Sequence, residues 1–233
     1  AKCIDFLGGP HLFTDSEKTG IDHEESMRNP VLFGTKAALE SPAAKKVLAV
    51  ALVADVRIST EILDDAFTPL QSCPPPKNLY LYLDGGFKVV MTCSMIRLIA
   101  SMAPSAELFG RTPLETAQID SWLSFLWHSI ELPCTIIQDM RTLNDGKDRD
   151  CVDHSALMSQ LKSSLGIIEN HLMKRRDQQH AYFVGELLSL ADISFAVALK
   201  YYKDELSPVC DRESYLDRWL TTVECTCQLE RIP

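Results

Sequence analysis

The segment YFVGELLSLADISFAVAL, residues 182–199, restricts the fold of this chain more than any other stretch. Ser189 and Asp192 stand three apart, directly before an apolar run. That spacing predicts a reciprocal helix start. The hydroxyl accepts the backbone N–H of Asp192, and the carboxylate accepts the N–H of Ser189, which satisfies two otherwise orphaned donors. The carboxylate also meets the positive end of the helix dipole. From Leu190 to Leu199 only Asp192 and Ser194 are polar. A helix with so little polar surface has to lie in the middle of its domain, with other helices around it. The motif is therefore read as a structural cap, not as a catalytic group.

Suitable neighbours surround it in the sequence. LETAQIDSWLSFLWHSI sets Ile119, Trp122, Leu123, Leu126 and Ile130 on one helical face. HSALMSQLKSSLGIIENHLMKRR does the same with Leu157, Leu161, Leu165, Ile168 and Leu172, and ESYLDRWLTTVECTCQL closes the chain as a last helix. The stretch before these helices is mixed. VLFG is a short buried strand, and SPAAKKVLAVALVADV is a helix with Ser41 as N-cap and Pro42 in the first turn. Its apolar stripe is read as Val47, Leu48, Ala51, Leu52 and Val56. RISTEIL alternates like a strand. LYLYLDGGFKVVM is a hairpin turning at Asp84, Gly85 and Gly86, followed by the helix TCSMIRLIASMA. The order β-α-β-β-β-α is that of a thioredoxin-like unit lacking one helix. The expected organisation is an acidic, mobile tail over 1–30, a thioredoxin-like α/β domain over 31–104, and an all-helical domain over 105–233 entered through the linker PSAELFGRTP. The fold class is α/β plus all-α.

Charge narrows the function. The chain carries 23 basic and 32 acidic residues, a net −9. A nucleic-acid surface spread over the whole molecule is excluded on that balance. Lys174, Arg175 and Arg176 form the one strong basic cluster. They answer the negative end of a helix dipole or, on the sharper reading, touch tRNA. No apolar run approaches the ~20 residues of a membrane span, and no secretory signal opens the chain. The eight cysteines have no metal-binding spacing and are expected to be reduced thiols in a cytoplasmic protein, with no metal. The start at Ala1 and the end shortly after the last helix suggest a piece of a longer protein.

FVGELLSLADIS, with its aromatic-Val-Gly lead-in and its Ser-Leu-Ala-Asp-Ile box, resembles the helical half of the glutathione S-transferase superfamily. ELFGRTPLETAQIDSWLSF and YLDRWLTTVE are most similar to the translation-linked members. These are the gamma subunit of elongation factor one and the related domains of aminoacyl-tRNA synthetases and their assembly factors. The resemblance spans roughly residues 31–229, and in the α/β half it rests on element order and hydrophobic pattern. It implies a thioredoxin-like half followed by a helical bundle.

The resemblance also names a glutathione site to inspect, and that site looks degenerate. Ser41 lies close to the family's catalytic Ser, but the alignment puts Glu40 in its place, where a carboxylate repels a thiolate. Tyr80 stands where the family has a cis-proline, the nearest proline being Pro76. Met91 and Thr92 replace the acidic-residue–Ser pair that grips the glutamyl end of glutathione, with Thr92 or Ser94 left to cap the helix. No cofactor is then expected, and glutathione enters only if the chain is an active transferase after all. The function implied is a non-catalytic docking module of the translation machinery, for GST-like domains of other translation proteins or for a second copy, with an active glutathione transferase as the alternative. Arg218 and Asp217 on the last helix, with Met95 and Met102 on a Met-rich face, are the module's interface candidates. The plainer readings are an ion pair of Arg218 with Asp211, Glu213 or Asp217, and a core role for the methionines. Trp219, in step with Tyr215 and Val223, reads as core.

Overall fold

Alternation writes the sheet. In LYLYL the leucines at 79, 81 and 83 are buried and the tyrosines between them face the other way. The computed structural model describes residues 30–63, 79–83, 87–142, 153–209 and 214–228. Strands β1 (Val31–Gly34), β2 (Ser59–Ile62), β3 (Leu79–Leu83) and β4 (Phe87–Val89) form one sheet in the order β2-β1-β3-β4. β1 and β2 are parallel, and β3 is antiparallel to both β1 and β4. The short helix α1 (Lys36–Leu39) leads into α2 (Pro42–Val53), which crosses between the parallel strands, and α3 (Thr92–Met102) follows β4. This is the thioredoxin-like arrangement the sequence implied. The expected tail, Pro76 and the turn at Asp84, Gly85 and Gly86 lie outside the described residues.

Ser41 caps α2 as expected: its Oγ accepts the N–H of Ala44 at 3.4 Å. The buried face of α2 differs from the sequence reading. Leu52 is exposed, and the face runs through Ala44, Val47, Ala49, Val50 and Ala51. The reason is tertiary. α2 is packed by α3 on one side and by the central helix of the other half on another, so small residues are covered all around it.

The helical half comprises α4 (Pro113–Leu126), α5 (Leu132–Thr142), α6 (His154–Asp177), α7 (Leu190–Tyr201), the short α8 (Lys203–Leu206) and α9 (Tyr215–Cys227). The segment read as a plain linker is more ordered than that. Pro104–Ala106 make a 3-10 turn, and Thr112 and Glu115 form a capping box on α4. α5 was not foreseen. Pro133 sits at its start, and the ring of a proline clashes with the carbonyl four residues earlier. The chain resolves this with a π turn at Trp127–Glu131 joining α4 to α5.

α7 is the axis of the molecule. All ten residues from Leu190 to Leu199 are buried. α7 packs against α4 and α9 in its own half and against α2 and α3 of the other. One continuous core therefore runs from Leu32 and Leu81 in the sheet to Phe195, Trp219 and Val223 in the bundle.

Candidate functional site

Two of the places where the described residues gather polar groups are the cap of α7 and the cleft between the two halves. At the cap, Asp192 is wholly buried and all its contacts are made. Oδ2 accepts the N–H of Ser189 at 3.0 Å and the Ser189 hydroxyl at 2.6 Å. Oδ1 accepts the N–H of Phe183 at 2.9 Å and the indole N–H of Trp219 at 3.3 Å. Burial pushes the Asp192 carboxyl up to about 6, against four hydrogen bonds that favour its charged form. One side chain thus ties the 183–189 loop, the start of α7 and helix α9 together. Arg175 clamps the same loop from outside, donating to the carbonyls of Tyr182 (2.9 Å) and Gly185. Gly185 has φ +62°, and a Cβ there would meet Glu115 Oε1 at 2.9 Å, which accounts for glycine in FVGELL. His171 Nε2 bonds the carbonyl of Phe183 at 2.9 Å, and burial holds its imidazole below the ordinary range.

The cleft between the halves is small, about 70 Å3. From the α/β side it is lined by Pro42, Lys46, Thr92 and Cys93, and from the helical side by Trp127, Glu131, Ser194 and Tyr202. Lys46 (5% exposed) and Glu131 (6%) form a buried ion pair across it. The Ser194 hydroxyl is buried without a hydrogen-bond partner. Tyr202 shares a 3.0 Å hydrogen bond with Thr135, and burial raises its phenol. Sequence reasoning missed this set. Lys46 sits beside Lys45 on a helix whose other residues are apolar, and a buried lysine there was the available signal. Glu131 is turned inward by a π turn that no periodicity announces.

Of the positions taken from the resemblance only Thr92 lines this cleft; Ser41 and Met91 are chain neighbours of its lining residues Pro42 and Thr92, and Glu40 and Tyr80 lie outside the lining. The Ser41 hydroxyl donates to the carbonyl of Ala38 at 2.5 Å while accepting from Ala44. Glu40 is exposed at the end of α1. Tyr80 lies within the β3 ladder opposite Phe33, whose ring stacks on it at 5.3 Å, and there is no cis peptide among the described residues. Met91 is the exposed N-cap of α3 and supplies no side-chain cap. Thr92 is already the first helical residue and Ser94 lies further in, so neither caps α3.

The surface candidates divide. Arg218 and Asp217 are exposed on α9; Asp211 and Glu213, the other expected partners of Arg218, lie outside the described residues. Asp217 heads its helix as N3, where its N–H donates to Ser214 Oγ at 3.1 Å. Met102 is half-buried. Met95 is not a surface residue. It is fully buried in the core with Ile99, because the α3 face that carries it packs against α2 and α7. Lys174, Arg175 and Arg176 stand in the last turn of α6, and Arg175 is engaged by the 182–185 loop. Trp219 is core, 5% exposed, with its ring edge-on to Phe183 at 4.9 Å. Among the described residues no His, Cys, Asp and Glu cluster could hold a metal ion, and no helix is long and apolar enough to cross a membrane. Cys225 is exposed and Cys227 buried, as their spacing on one helix requires.

Comparison with known proteins agrees with this architecture. Residues 127–225 match the family model "Glutathione S-transferase, C-terminal domain". A comparison with curated protein sequences finds no match. Among solved structures, the fold is similar to the yeast prion protein Ure2p in complex with glutathione, with TM-score 0.72 and 14% identity over 89% of this chain and 99% of that one. It is also similar to glutathione transferase F2 from Populus trichocarpa (TM-score 0.63, 20% identity, 84% and 93% covered). A glutathione S-transferase from Pichia kudriavzevii is similar too (TM-score 0.63, 21% identity, 88% and 95% covered). The chain is glutathione S-transferase-like in fold.

Proposed function

We propose that this chain is a non-catalytic docking module of the translation machinery, a GST-like scaffold that helps assemble an aminoacyl-tRNA synthetase or elongation-factor complex. The observation that carries this reading is the Ser41 hydroxyl. Its one proton is given to the Ala38 carbonyl at 2.5 Å, so it has none to give a thiolate. The exposed carboxylate of Glu40 stands next to it, and Met91 brings no polar side chain to the start of α3. A thiol is activated by a donor or a positive charge aimed at sulfur. These positions supply a committed hydroxyl, a negative charge and a thioether instead.

Docking centres on the outside of the helical half. Arg218 on α9 is the central contact, because a guanidinium both stacks on and forks toward a matching helix. Asp217 beside it, and the half-buried Met102 at the end of α3 in the other half, are secondary contacts. The partner is a GST-like domain of another translation protein or a second copy of this chain. The YLDRWLTTVE and ELFGRTPLETAQIDSWLSF segments support the translation-linked assignment.

The second reading is an active glutathione transferase. It draws on the cleft, where the partnerless Ser194 hydroxyl and the exposed Cys93 face the same space, and on Ure2p, whose complex contains glutathione. Retention on immobilised glutathione together with turnover of a chlorinated aromatic substrate would select the transferase. The expected result is neither, with assembly detected by light scattering and weakened by Arg218→Ala at an unchanged melting temperature. An unchanged assembly mass in that variant removes Arg218 from the interface.

A further inference from the structure

We propose that the cleft between the end of α6 and α9 binds a phosphate monoester carried on a flat ring. Its lining brings together three cationic or basic side chains from separate parts of the chain: Arg176 from the last turn of α6, His180 from the loop after it, and Arg218 from α9. No carboxylate among the described residues lines it. This is notable where it occurs, because residues 105–233 carry 13 basic and 20 acidic residues, a net 13 − 20 = −7. Two guanidiniums held in one concavity repel each other until an anion enters between them.

One nearby acid, Glu169, is engaged elsewhere. Glu169 accepts the first N–H groups of α9, those of Tyr215 at 2.6 Å and Leu216 at 2.9 Å, and so serves as that helix's cap. Arg176 is positioned before any ligand arrives, since its guanidinium lies over the Tyr215 ring, 5.2 Å from the centroid. A pre-ordered guanidinium loses less entropy on binding than a free one, and its fork matches two phosphate oxygens.

Shape supplies the second half of the ligand. The cleft measures about 280 Å3, and its walls include Tyr215, Leu172 and the edge of Trp219. That is just below the ~300–1,000 Å3 of ordinary small-molecule sites and far above the ~30 Å3 share of a water. Inorganic phosphate would leave the aromatic wall uncovered. A phosphoryl group on an aromatic or nucleobase-sized ring would fill it.

The test uses phenyl phosphate as probe, titrated into the whole chain at about 150 mM salt by calorimetry and by the Trp219 indole resonance. Saturable binding is expected, at least tenfold tighter than for inorganic phosphate. Arg176→Gln and Arg218→Gln should each weaken it by about tenfold or more, the loss of one charge-assisted hydrogen bond. Arg111→Gln, a change to an exposed arginine already paired with Glu107, should leave it unchanged. Absence of saturation, or undiminished binding in the Arg176→Gln/Arg218→Gln double variant, overturns the site. A phosphotyrosine peptide and adenosine monophosphate are titrated in parallel. Tighter binding of either supports the site and names its source as a protein side chain or a free nucleotide. The inference shares Arg218 with the docking reading, but the two fail separately: phenyl phosphate binding and its loss in Arg176→Gln are read on the chain alone, and Arg176 takes no part in the docking contact.

Discussion

The cap of α7 and the cleft between the halves handle buried polarity in opposite ways. At the cap, Asp192 accepts four hydrogen bonds and nothing around it is left over. In the cleft, Ser194 has a buried hydroxyl with no partner, and α3 starts on a methionine that cannot cap it. Buried polar groups are costly until they are satisfied, so a saturated centre rigidifies and a half-satisfied one leaves room for change. The contrast locates the chain's most fully satisfied polar geometry in the cap that holds the helical half in one shape.

The largest effect should come from the saturated side. Asp192→Ala strands the N–H groups of Phe183, Ser189 and Trp219 in the core, and roughly 3–5 kcal/mol of stability should be lost. Denaturant unfolding measures this, and an unmoved midpoint would break the comparison. The same group predicts a pH signature. Its folded value of about 6 lies above its ordinary 3.8. The native state therefore binds the extra proton between those values. The stability tied to protonation is fully present below the lower value and is lost as pH rises through the upper one. The stability gap between the natural chain and Asp192→Asn should accordingly narrow as pH is raised from about 4 to about 7.

Next in size is the ion pair across the cleft. Removing only Lys46 or only Glu131 leaves an uncompensated buried charge, at a cost of roughly 3 kcal/mol or more. The joint change Lys46→Met with Glu131→Leu should recover most of that. If the double variant is as unstable as either single one, the cleft is as exacting as the cap and the contrast fails. The smallest effect belongs to Ser41→Ala, expected to cost about 1 kcal/mol through the lost cap of α2. It should leave glutathione conjugation at background. A conjugation rate that Ser41→Ala abolishes would instead place chemistry in the cleft.

Much of the helical half was legible in the residues. Ser189 and Asp192 announced their cap by spacing, the run to Leu199 announced a central helix, and Trp219 with Val223 announced core. The cap's outer partners were not legible, because Phe183 and Trp219 reach Asp192 from 9 and 27 residues away. Of the candidate cleft only Thr92 was among the positions named by the resemblance, while Lys46, Glu131, Ser194 and Tyr202 were not. Whether Ser41 had a proton to spare depended on the Ala38 carbonyl, which α1 places against it.

What local sequence determined here is everything carried by neighbours on one element: alternation in β3, the 3.6-residue stripes of α4 and α6, and the caps at Ser41 and Ser189. Those signals act over a few residues, so a reader of the chain alone can add them up. Tertiary structure decided the rest. It buried Met95 and uncovered Leu52, turned Glu131 toward Lys46 through a π turn, spent Arg175 on a loop and brought Arg176, His180 and Arg218 around one cleft. Each of these depends on which other element lies opposite, and burial and charge pairing are properties of that opposition rather than of any single segment.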